Sequence, residues 1–105
     1  MSFSRGENPV WNFFDLTGSP FDDTFYMFVL NNNIPYSYET VYQDSEANVA
    51  WSDPIQCLAN GAFPDNIYWD DDVTYRLEFR QNDGVLPPSQ SDALRYLIEN
   101  YSPGG

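Results

Sequence analysis

From residue 73 to residue 80 the chain alternates without a break, with Val73, Tyr75, Leu77 and Phe79 set against Thr74, Arg76, Glu78 and Arg80. A period of two is the pattern of a strand with one dry and one wet face. Residues 24–30 behave differently. Phe25, Tyr26, Met27, Phe28, Val29 and Leu30 leave neither face polar, which predicts a strand covered on both sides. Shorter bulky runs at residues 8–15, 38–42 and 54–58 predict further short strands. Turn chemistry separates them: Gly18 with Pro20, Asn31-Asn32-Asn33, Asn60-Gly61, Asp70-Asp71-Asp72 and Asn82-Asp83-Gly84 supply residues suited to tight or left-handed backbone. Residues 91–101 fit two templates. Leu94, Leu97, Ile98 and Tyr101 fall at helical spacing behind a Ser91 N-cap, while Leu94, Tyr96 and Ile98 fit a strand pairing with 73–80. Local propensity leans to the helix, and the Asp83-Gly84 turn leans to a hairpin.

A length of 105 residues bounds the chain to one small domain with a thin core. Eight Tyr, eight Phe and three Trp favour strands, and eight Pro with six Gly cut them short, so the fold expected is all-β. Sixteen acids face four bases (Arg5, Arg76, Arg80 and Arg95), for a net charge of −12. Four scattered arginines cannot assemble a surface for a phosphate backbone, and an anionic membrane would repel the chain. Nucleic acid and membrane are therefore not expected partners. The opening Met1-Ser2-Phe3-Ser4-Arg5 does not read as a signal peptide, and Met1 reads as a true start. The single cysteine, Cys57, cannot close an internal disulfide, consistent with synthesis in a reducing cytoplasm.

The same composition narrows the chemistry. There is no His, one Cys cannot make a zinc site, and no phosphate-binding loop is present. An enzyme would depend on a carboxylate pair such as Asp15 with Glu78, and nothing selects a pair among sixteen acids. The expectation is a non-enzyme with no cofactor and no metal. Asp70-Asp71-Asp72 reads as a solvated turn rather than a calcium loop, because three consecutive side chains diverge. Cys57, between Gln56 and Leu58, reads as a buried, inert thiol. Trp11, Trp51 and Trp69 read as core or strand-packing residues, with interface anchoring and stacking on sugar rings as the alternatives. The arginines are expected to balance nearby acids.

Taken in order, the landmarks resemble a known pattern. Asn8-Pro9, Phe13-Phe14-Asp15 and Gly18-x-Pro20 are similar to the start of the N-terminal head-binding domain of phage tailspikes and tail fibres. Val41-Tyr42-x-Asp44, Asp53-Pro54-Ile55-x-x-Leu58-Ala59-Asn60-Gly61, Ile67-Tyr68 and Tyr75-Arg76-Leu77 leading to Asp83-Gly84 continue the likeness. Leu94-Arg95-Tyr96 through Asn100 corresponds to that domain's last strand, which weighs toward the strand reading of 91–101. Coverage runs over residues 8–101. The chain departs from the family where Phe21-Asp22-Asp23 replaces the usual Gly pair before the second strand. It departs again where residues 85–90, with Pro87-Pro88, lengthen the last hairpin loop.

The resemblance implies a small antiparallel β-sandwich-like domain of short strands that assembles as a homotrimer. Residues 1–7 would form an N-terminal arm, 8–101 the head-binding-like domain, and 102–105 a linker-like tail leaving room for a distal domain. It implies a structural virion protein, made in the host cytoplasm, that anchors a tailspike or tail fibre to a tail, portal-adaptor or baseplate protein. Asn8, Pro9, Trp11, Phe13 and Phe14 are the docking residues expected, on a first strand free to reach a neighbour. The acidity calls for an Arg- or Lys-bearing surface on the partner. Two other functions compete: a small acidic mimic of nucleic acid that inhibits a DNA-binding enzyme, and a carbohydrate-binding module.

Overall fold

A computed structural model of the chain describes residues 3–4, 17–19, 21–22, 24–58, 61–64 and 66–102. All its regular elements are strands: β1 (Phe3–Ser4), β2 (Phe25–Asn31), β3 (Ile55–Gln56), β4 (Trp69–Asp70), β5 (Tyr75–Gln81) and β6 (Ala93–Tyr101). There is no helix among the described residues. One antiparallel sheet of four strands runs in the order β3-β2-β5-β6, and β1 pairs with β4 in a separate two-stranded ribbon. The strand expected at 8–15 and Trp11 lie outside the described residues.

The two long patterns in the sequence are the two central strands. β2 and β5 pair in unbroken register from Phe25 opposite Gln81 to Asn31 opposite Tyr75. Because opposed residues share a face, that register puts Phe25, Met27 and Val29 with Tyr75, Leu77 and Phe79. These six are the centre of the core, all essentially without solvent contact. Ile55 of β3 extends this face within the sheet, and Val41, Cys57, Phe63, Ile67 and Trp69 from the segments before and after β3 complete the core. Aromatic rings carry much of the packing. Phe25 stacks on Phe21 with centroids 4.1 Å apart, Phe63 meets Phe79 edge to face at 5.5 Å, and Trp69 meets both Tyr75 and Tyr101 at 5.2 Å.

Residues 91–101 resolve as strand: β6 is nine residues long and pairs with β5. Its helical spacing is a consequence of two bulges. Leu77, Glu78 and Phe79 oppose Ile98, Leu97 and Tyr96 regularly, but Arg80 opposes Leu94 and Tyr75 opposes Tyr101. Each end of the regular run therefore contains one extra residue, which displaces the apolar positions from strict alternation. Asn100 takes up the second bulge at φ 57°, and its side-chain oxygen accepts a hydrogen bond from Asn32 Nδ2 at 2.6 Å.

Residues 38–42 do not form the expected strand. Tyr38 bridges to Leu30, and Tyr42 bridges to Ala50 and Tyr68, so the segment passes from the edge of β2 to the opposite layer within five residues. Asp70 is buried, unlike the solvated turn expected. Its Oδ1 accepts the Asp72 amide at 2.9 Å, and its own N–H donates to Tyr75 Oη at 2.8 Å. Trp69 is a core residue as expected, and Trp51 is half-buried with its indole N–H bonded to the Asn66 carbonyl. Cys57 is buried as expected.

Two predictions follow from the core and from the start of β2. Phe79→Ala removes a ring enclosed on every side and should lower stability by about 3–5 kcal/mol, read from the urea midpoint. A loss below about 1 kcal/mol would contradict the core described. At Asp22, the Thr24 hydroxyl and then the Thr24 amide donate to the carboxylate and hold its pKa below the ordinary value. A depressed folded-state value stabilises above the unfolded value and is lost as pH falls through the folded one. Asp22→Asn should therefore lower the Tm at neutral pH, with the gap closing below about pH 4. A gap that stays constant with pH would show that the carboxylate charge contributes nothing.

Candidate docking surface

β5 is not wet on its second face. Glu78 stands at the centre of that face with 3% of its surface exposed, between Arg76 and Arg80 two positions away on either side. Residues at i and i±2 on a strand share a face, and here the shared face neutralises itself. Arg76 Nε donates to Glu78 Oε2 at 2.8 Å, and Arg80 Nε donates to Oε1 at 3.0 Å. Arg76 also donates to Glu99 Oε1 at 3.0 Å and lies over the Tyr36 ring at 4.2 Å, while Arg80 donates to the Asp92 carbonyl at 2.7 Å. Burial would lower the Arg76 pKa, but its bonds to Glu78 and Glu99 and the Glu78 charge outweigh that and raise it. Two of the arginines thus balance acids as expected. Arg95 does not: it donates twice to the neutral Gln81 Oε1, at 3.2 and 3.0 Å. Arg5 lies outside the described residues.

The same outer face receives Tyr26, Phe28 and Leu30 from β2, and Phe28 and Leu30 are fully buried. Tyr38 stacks over Phe28 at 6.1 Å. This is the double cover that the continuous apolar run of 24–30 predicts. The Tyr38 phenol is pushed up by burial and then by the Asp53 and Glu78 charges, and burial raises Asp53 in turn. Apolar surface remains open at one side of this layer, where Leu94 and Leu97 of β6 are 43% and 40% exposed.

The β5–β6 loop stands at the Leu94 end of that strip. It is tightly held: Asn82, itself buried, donates to the Val85 carbonyl at 2.9 Å and to Asp92 Oδ2 at 3.1 Å, and it accepts the Gly84 amide at 2.9 Å. Asp92 Oδ2 also accepts the Ser89 amide. Gly84 sits at φ 98°, a conformation that a side chain would strain. The Val85 and Leu86 side chains project from this frame, 69% and 70% exposed.

Seven of the sixteen acids have a local role. Asp22, Asp44, Asp70, Asp83 and Asp92 each accept a backbone amide within five residues, and Glu78 and Glu99 pair with arginine. No group of three or more potential metal ligands occurs among the described residues. Asn8, Pro9, Trp11, Phe13 and Phe14 lie outside the described residues, as does Asp15, the candidate carboxylate partner of Glu78. The β6 edge and the Val85-Leu86 tip went unnoticed as sites in the sequence. The insertion at 85–90 was the signal available for the tip, and the edge position of β6 had none. No family model, no curated protein and no solved structure matches the chain.

One prediction concerns the buried carboxylate. Glu78→Ala leaves Arg80 with no ionic partner and Arg76 with Glu99 alone, and the cost should be about 3–5 kcal/mol in urea unfolding. A loss near zero would mean that water already reaches the pair.

Proposed function

We propose that the chain is a structural attachment module, the part of a phage tailspike or tail fibre that seats it on the tail or portal assembly. The observation that carries the reading is the set of exposed apolar side chains, Leu94 and Leu97 on an edge strand and Val85 and Leu86 on the hydrogen-bonded loop that precedes it. Exposed apolar side chains on a pre-ordered frame suit docking to another protein, because little conformational freedom is lost on binding. The ordered landmarks over residues 8–101 support the tailspike context, and the all-β fold is of the class that the resemblance implies. In this reading the four-stranded sheet is one layer of a sandwich-like domain, the segments that bring Val41, Phe63, Ile67 and Trp69 onto its inner face are the other, and the trimer belongs to its assembly on the particle. Asn8, Pro9, Trp11, Phe13 and Phe14 remain its expected contacts with the tail.

The local use of the acids counts against a mimic of nucleic acid. Such a protein needs carboxylates projecting in dense rows, whereas seven of these sixteen close turns or pair with arginine. Quantitative peptide mapping of purified virions tests the proposal. The expected result is the chain at a fixed few to tens of copies per particle, an order-of-magnitude figure for a symmetric tail component. Absence from the particle, with synthesis early in infection, would overturn it.

A further inference from the structure

The β5–β6 connection, residues 82–92, departs from the ordinary chemistry of a loop. Loop tips are usually polar, and exposed apolar side chains normally occur singly. Here Val85 and Leu86 are adjacent, 69% and 70% exposed, and neither belongs to the core. The frame that holds them out is built without their side chains. The Val85 amide donates to Asp83 Oδ1 at 3.1 Å, and its carbonyl accepts from Asn82 Nδ2 at 2.9 Å. Asn82 is anchored in turn, its amide donating at 2.7 Å to the Thr24 carbonyl beside the start of β2. Asp92 closes the loop, with its amide on the Ser89 carbonyl at 3.0 Å and its Oδ2 accepting from both Ser89 and Asn82. Two branched aliphatic side chains are thus presented to solvent on a fixed backbone.

The position of the tip and the charge around it say what it can meet. β2 and β5 run side by side from the Phe25–Gln81 pair to the Asn31–Tyr75 pair, about 20 Å at the rise of a strand. The loop rises from the Gln81 end. The described chain leaves at the other end, where Tyr101 is opposite Tyr75, Asn100 accepts from Asn32, and Ser102 Oγ lies 3.0 Å from Thr74 Oγ1. In the attachment reading the chain beyond Ser102 leads away from the tail, so the end that carries the tip faces it. The charge at that end is negative. Residues 82–92 include Asp83 and Asp92 and no base, and Asp22 adds a third carboxylate through its bond to Thr24. Arg80 reaches the Asp92 carbonyl, but its charge is committed to Glu78. An acidic base to an apolar tip disfavours an anionic membrane and favours a basic protein surface.

We propose that Val85 and Leu86 form an aliphatic plug that seats in an apolar pocket, rimmed by Lys or Arg, on the protein that holds the chain. The plug rests on the attachment reading and specifies its contact. Because the loop is already ordered, the two side chains are buried with little loss of conformational freedom, and the carboxylates at its base orient it against the rim.

Retention of the full chain on purified particles tests this, counted by quantitative peptide mapping, with thermal unfolding confirming that each variant is folded. Val85→Ser and Leu86→Ser keep every hydrogen bond of the frame and should leave the unfolding temperature unchanged. Together they should lower the copies retained per particle by at least about tenfold. Ile34→Ser, at the opposite end and 83% exposed, should be retained like the wild type. Leu86→Glu should be retained better than Leu86→Lys, because only the lysine meets like charge at the rim. Absence of the wild type from particles removes the attachment reading and the plug with it. A wild type that is present, with the folded double variant retained equally well, overturns the plug alone. So does a loss confined to Ile34→Ser, or Leu86→Lys retained better than Leu86→Glu. Binding of the wild type to phosphatidylcholine vesicles that Leu86→Ser abolishes would assign the tip to a lipid surface and also overturn it.

Discussion

The seven-residue register between β2 and β5 is the constraint from which the remaining structure follows. It places Phe25, Met27 and Val29 beside Leu77 and Phe79 on one face and, by the same alternation, sets Phe28 opposite Glu78 on the other. A slip by one residue would exchange these sets and drive Arg76, Glu78 and Arg80 into the aromatic core. The register is thus held by apolar burial on one side and by charge pairing on the other. Neither side is left to water. The Glu78 carboxylate satisfies one guanidinium with each oxygen, which lets three charged residues lie flat under partial cover.

Much of this was legible in the residues. The alternation at 73–80 marked β5, the continuous run at 24–30 marked a strand covered twice, and Asn82-Asp83-Gly84 marked the turn that leads toward β6. Other features depended on tertiary partners that local patterns do not contain. Arg-x-Glu-x-Arg reads as a wet face when each charge is considered alone, and it becomes a buried triad because Phe28, Tyr36 and Glu99 arrive from elsewhere in the chain. Asp70 reads as part of a solvated acidic turn until Tyr75 folds against its amide. The bulges in β6 explain why its apolar spacing mimics a helix. The Tyr38–Tyr42 run has the composition of a strand, but no neighbour lies alongside both of its ends in one sheet.

The docking surface was the least legible part. Exposed Leu94 and Leu97 are ordinary in isolation and acquire meaning from lying on a sheet edge that no strand among the described residues covers, beside a loop held by Asn82 and Asp92. The expected contacts at Asn8, Pro9, Trp11, Phe13 and Phe14 came from resemblance, whereas the β6 edge and the Val85-Leu86 tip come from geometry. The two need not compete. A small domain with a thin core gains stability by covering such an edge.

The central claim is that the β2–β5 register organises the fold. Amide hydrogen exchange of the folded chain tests it most directly. The account predicts that protection is highest over residues 25–31 and 75–81, whose amides are committed inside the sheet, and lower over residues 93–101 at its edge. Protection over 93–101 that equals or exceeds that over 75–81 would contradict it.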